Sequence, residues 1–125
     1  MTLEQLSRLN EKFQQKASGL AELLPGSNLL TFSTTIIRTT KKLDVVLKKV
    51  LGAKSEGSFY TQIEAMEEEM DELIFMMDRL DEANRKRNIG TITDVVKAGY
   101  ELVSLYSLCC DQILERKTKK QDEIE

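Results

Sequence analysis

The densest group of ionisable side chains in this sequence is Glu64, Glu67, Glu68, Glu69, Asp71 and Glu72. Carboxylates three and four residues apart share one face of a helix, and in a helix bundle that arrangement can hold a pair of metal ions. Such a centre also needs Glu-x-x-His pairs on the facing helices. This chain has no histidine. The acidic run therefore reads as a solvated helix face. Arg38 stands among Ile36, Ile37, Thr39 and Thr40. A partly buried guanidinium needs a carboxylate, and Glu69 or Glu72 is the expected partner. The functional alternative for Arg38 is an anion-binding site.

Basic residues gather in three places: Lys41, Lys42, Lys48, Lys49 and Lys54; Arg85, Lys86 and Arg87; and Arg116, Lys117, Lys119 and Lys120. Clusters of this kind can contact phosphates. No aromatic side chain interleaves them, so stacking on bases is not supported, and solvated surface is the expected role. The two cysteines, Cys109 and Cys110, are adjacent. On a helix they point about 100° apart and cannot easily pair with each other. Both fall in apolar stripes and read as core residues of a protein in a reducing compartment. Without histidine the chain lacks the commonest general base and the commonest zinc ligand, and it has no glycine-rich phosphate loop. The sequence nominates no catalytic, cofactor-binding or metal-ligating residue, and the reading is non-enzymatic.

These side chains must be positioned by long helices. One proline and six glycines in 125 residues leave few breakers, and that length fits a single domain. The spacing of apolar residues predicts helices over about 2–24, 28–51, 58–86 and 91–117, with a charged, flexible tail, 118–125, after them. In the first, Thr2 and Gln5 have capping-box spacing, and Leu6, Leu9, Phe13, Leu20 and Leu23 mark the inner face, with Lys16 interrupting and Gly19 a weak point. Pro25-Gly26-Ser27 is the clearest break, with Ser27 or Asn28 available to cap the next helix. That helix turns Leu29, Phe32, Ile36, Leu43, Leu47 and Val50 inward. Its β-branched run from Thr34 to Thr40 makes a strand the local alternative, but the steps of three and four favour helix.

The third helix gives the strongest signal: Phe59, Ile63, Met66, Met70, Leu73, Met77 and Leu80 keep a four-three repeat without a miss. The fourth opens with Thr91 and Asp94 at capping-box spacing. It carries Ile92, Val96, Gly99, Val103, Tyr106, Cys110 and Ile113, with a second stripe, Val95, Leu102, Leu105 and Cys109, beside the first. A stripe that wide implies deep burial or a second interface. Tyr100, Tyr106, Leu102 and Leu105 are the expected places for contact between subunits of a homo-oligomer. The fold expected is all-α, an antiparallel up-and-down four-helix bundle. The N-terminal segment is amphipathic without an apolar signal core, and no apolar run approaches the ~20 residues of a membrane span. The expectation is a cytoplasmic protein with no membrane partner. A net charge of −3 argues against a dedicated nucleic-acid binder and leaves room for weak local contact.

The stretch from Thr35 to Leu80 resembles the four-helix-bundle proteins encoded by intervening sequences in bacterial large-subunit ribosomal RNA genes. Ile36, Ile37, Arg38 and Leu43 match the family's second-helix pattern. Ser55, Phe59, Gln62 and Ile63 match its turn and third-helix start, and Glu69, Glu72, Ile74 and Leu80 match the remainder of its third helix. Lys42, Val46, Lys49 and Val50 stand where the family places Ser, Asn, an acidic residue and Gly. The resemblance implies an antiparallel bundle assembling into a pentamer, with a biochemical role largely unassigned. A related branch, the accessory proteins of diversity-generating retroelements, binds nucleic acid and a reverse transcriptase through a basic surface. The second functional expectation is thus an accessory protein that binds RNA or a ribonucleoprotein through its lysine-rich patches.

Overall fold

The computed structural model describes residues 2–23 and 29–124, with backbone alone for 21–22, 29–32 and 118–124. The expected break at Pro25–Ser27 and its cap lie outside the described residues, as do the side chains of Leu29 and Phe32. The chain forms α1 (Leu3–Ser18), a single turn α2 (Leu20–Leu23), α3 (Leu29–Leu51), α4 (Glu56–Asn84) and α5 (Gly90–Ile124). No strand forms among the described residues, so the β-branched run of α3 is helical.

The four-three stripe of α4 organises the core. Phe59, Ile63, Met66, Met70, Leu73, Met77 and Leu80 are all buried, joined by Met76. Burying each such side chain stabilises the fold by roughly 1.5–3 kcal/mol. α4 packs between α3 and α5, and α1 closes the square by packing on α3 and α5. Neighbours run antiparallel. Along α1 and α3, Ser7 meets Asp44, Asn10 meets Thr40 and Ala17 meets Ser33. Along α4 and α5, Asn84 meets Thr93, Asp78 meets Tyr100 and Phe59 meets Lys117. Gly99 is buried against Met77 of α4 and Phe13 of α1: a Cβ there would lie 2.8 Å from Met77 Cγ and 3.4 Å from Phe13 Cε2. No described helix is long and apolar enough to cross a membrane.

Several expectations are corrected. The inner stripe of α1 is Leu6, Asn10, Phe13 and Ala17, continued by Leu20 of α2, whereas Leu9 is exposed. Taking Leu9 for a core residue skipped the polar Asn10, which keeps the four-three repeat intact and removes the apparent interruption at Lys16. The first helix does not run unbroken to residue 24: it stops at Gly19, whose N–H turns back to the Lys16 carbonyl at 3.2 Å. The low helix propensity of glycine accounts for the stop. α5 does not end at Lys117. It continues to Ile124, because 118–124 contain neither proline nor glycine and are rich in good helix formers.

The capping box at Thr2 forms as expected: its Oγ1 accepts from the Gln5 N–H at 3.2 Å, and its own N–H donates to Gln5 Oε1 at 2.8 Å. Ser55 caps α4 by accepting from the Ser58 N–H at 3.1 Å. α5 begins at Gly90, before the expected Thr91 cap, because Asn84 organises the turn. Asn84 Oδ1 accepts from the Ile89 N–H at 2.8 Å, and its Nδ2 donates to the Ile89 carbonyl at 3.2 Å and to Thr93 Oγ1 at 3.0 Å. The chain reverses through Asn88 at φ 50°, a left-handed conformation that asparagine tolerates. Asn84→Ala removes three bonds from a buried position and is expected to cost about 2 kcal/mol in urea unfolding. Faster amide exchange should be confined to 85–93.

Candidate functional site

Because Leu43 and Leu47 point into the core, the residues half a turn away on α3 point out. Arg38, Lys41, Lys42, Val45, Lys48 and Lys49 are all exposed. By the same geometry Met70, Leu73 and Met77 turn Glu64, Glu67, Glu68, Asp71, Glu72, Phe75 and Arg79 of α4 to solvent. The solvated acidic face is as expected, except that Glu69 is half-buried in the α3–α4 seam with its carboxylate 3.9 Å from Lys42 Nζ. The expected ion pair of Arg38 with Glu69 or Glu72 does not form. Arg38 lies on the outer face of α3, where water solvates a guanidinium without a protein carboxylate. Arg79 lies 5.5 Å from the centroid of the exposed Phe75 ring. Arg85, Lys86 and Arg87 are exposed at the α4–α5 turn. Lys117 folds back at the other end, its ammonium 3.7 Å from the Phe59 ring centroid and 5.4 Å from that of Tyr60.

The doubled stripe of α5 is largely consumed inside the chain. Val95, Leu102 and Tyr106 are buried, because α5 packs against both α4 and α1. Leu102 and Tyr106 are therefore unavailable as subunit contacts, contrary to expectation. Tyr100 is half-buried and donates its hydroxyl to Asp78. That bond, with burial and the charges of Asp78 and Asp81, pushes its pKa up to about 12. What remains open is the C-terminal part of the stripe. Leu105, Leu108, Cys109 and Ile113 join Leu3, Leu6 and Leu51 around a shallow cleft of about 170 Å³, with Thr2, Gln112 and Arg116 also on its walls.

Sequence reasoning missed Asn10, a fully buried polar side chain that bonds to two other helices. Its Nδ2 donates to the Thr40 carbonyl at 2.9 Å and to the Tyr106 hydroxyl at 2.7 Å, while Oδ1 accepts from Gln14. The signal was available: a polar residue at a core position of an otherwise regular four-three repeat. Burial pushes the Tyr106 phenol up to about 12 against the lowering effect of the Asn10 bond, so it stays protonated at neutral pH. Among the described residues no group of three His, Cys, Asp or Glu side chains is placed to hold a metal ion. The outer faces of α3 and α4 and the cleft are the parts of the described surface where charge and apolar side chains gather.

Both thiols are held in the neutral form. Burial pushes Cys110 up to about 11, and the charges of Cys109, Asp111 and Glu67 add to it. Burial also raises Cys109, against the opposing charge of Arg116. A raised pKa means less thiolate at any given pH, and thiolate is the reactive species. At pH 8 iodoacetamide should alkylate Cys110 at least about tenfold more slowly in the folded protein than in denaturant, with Cys109 intermediate. Mass spectrometry of timed samples reads both rates, and equal rates for Cys110 folded and unfolded would contradict its packing. Compared with models of known protein families, with curated proteins and with solved structures, the chain matches none.

Proposed function

We propose that this chain is a non-enzymatic, self-associating four-helix bundle that works as an interaction or scaffold protein. The observation that carries the reading is the set of large apolar side chains left exposed on a chain whose core is otherwise closed: Val45, Leu51, Phe75 and Leu108 are each about half exposed. Exposed apolar residues among charges are what an interface between copies would cover. The resemblance to proteins of ribosomal-RNA intervening sequences supports the same reading and favours a cytoplasmic ring of five.

A second reading, an accessory protein for RNA or a ribonucleoprotein, is favoured by Lys41, Lys48 and Lys49 standing exposed on one face of α3. The net charge of −3 weighs against it. Light scattering behind size exclusion, with absorbance at 260 and 280 nm on the same peak, separates the two. The first reading expects a mass near five times 14.3 kDa and a protein-like absorbance ratio. A monomer overturns it. A peak carrying nucleic acid that is lost as salt rises supports the second reading instead.

A further inference from the structure

Val45 is 51% exposed at the centre of the outer face of α3. Its neighbours three and four residues away on that face are Lys41, Lys42, Lys48 and Lys49. Phe75 is 55% exposed at the centre of the outer face of α4. Its neighbours at the same spacing are Asp71, Glu72, Asp78 and Arg79. One molecule thus carries two apolar residues, one ringed by cations and the other mainly by carboxylates. The two faces cannot meet within a single chain, because α3 and α4 are packed side by side with both faces turned outward. Some of these groups are already engaged within the chain: Lys42 with Glu69 at 3.9 Å, Lys48 with Asp44 at 3.2 Å, and Asp78 with the Tyr100 hydroxyl, which leaves Lys41, Lys49, Asp71 and Glu72 facing outward.

We infer that the outer face of α3 in one copy docks on the outer face of α4 in a second copy, burying Val45 and Phe75 and setting lysines against carboxylates. This rests on the self-association reading above and names its surface. Polyanions such as RNA would pair with α3 but be repelled by α4, and they would leave Phe75 uncovered. A second copy satisfies both faces. By the Lys42–Glu69 contact and the antiparallel run of the two helices, Val45 and Phe75 lie at different heights, while the α3 lysines lie level with the exposed Glu64, Glu67 and Glu68. Copies placed side by side therefore set those lysines against those glutamates. Because the docking faces are different surfaces, the contact is heterologous and makes a ring where the rotation between copies closes.

Two double variants test this. Lys41→Glu with Lys49→Glu reverses charge on α3, and Asp71→Lys with Glu72→Lys reverses it on α4. All four residues are exposed, and far-UV circular dichroism checks that helicity is kept. Each variant alone should run as a 14.3 kDa monomer at a concentration where the wild type is assembled. An equimolar mixture should run above the monomer mass, because the intact α3 face of one variant meets the intact α4 face of the other. Wild-type assembly should weaken as salt rises. An assembled wild type with variants of unchanged mass overturns the docking faces and leaves self-association standing, and so does a mixture that stays monomeric. A monomeric wild type overturns both. If a double variant loses helicity, the neutralising changes Lys41→Gln and Asp71→Asn replace it, and each should weaken assembly at least about threefold.

Discussion

The arrangement of this bundle depends on one buried amide. Asn10 sits on the inner face of α1, and leaving a buried amide without partners costs about 1–3 kcal/mol. Its two N–H groups are spent on different helices, one on the Thr40 carbonyl of α3 and one on the Tyr106 hydroxyl of α5. The Thr40 hydroxyl in turn donates to the Ile36 carbonyl. Apolar stripes of period 3.5 tolerate sliding by a turn, because one leucine replaces another. The Asn10–Tyr106 bond does not, because one turn along α5 stand Leu102, Val103, Cys109 and Cys110, none of them with a hydroxyl. The amide thus specifies the register of α1 against α5 more than it adds to stability, a role for which single buried asparagines are suited.

Register decides what the outside looks like. With Leu43 and Leu47 held inward, α3 presents Val45 among lysines. With Met70, Leu73 and Met77 held inward, α4 presents Phe75 among carboxylates. The chain is nearly neutral as a whole, at net −3, yet its charge is sorted by helix rather than mixed. Sorted charge at the surface contributes little to the stability of one chain, where exposed pairs are worth about 0–1 kcal/mol. It contributes far more to the choice of partner and to the rate of encounter.

Whether a feature could be read from the sequence depends on whether the forces behind it are local. The α4 stripe was legible in full because a long four-three repeat has one interpretation, and all seven of its residues are buried. The α1 stripe was misread at Leu9 because hydrophobicity was weighed above the period, which pointed to Asn10. The pairing of Arg38 with Glu69 failed because a helix-level pattern does not say which side of a flanked position faces water; Lys42 took that place instead. The wide stripe of α5 was legible as burial or interface. Only packing against both α1 and α4 resolves it, and that removed Leu102 and Tyr106 from the surface. The Asn84 turn combines a helix end, a left-handed residue and the next helix start, so the local rule that placed a cap at Thr91 could not find it. The outer faces of α3 and α4 were visible only as charge runs, because their apolar centres stand out once the inner faces are known.

Amide hydrogen exchange of the wild type, measured across a concentration series, tests most directly whether those outer faces are the working surface. The prediction is that slowing with concentration falls on 38–49 of α3 and 64–79 of α4 and leaves the N-terminal turn of α1 unchanged. Slowing confined to 3–6 and 105–113, around the apolar cleft, or no dependence on concentration at all, would contradict it.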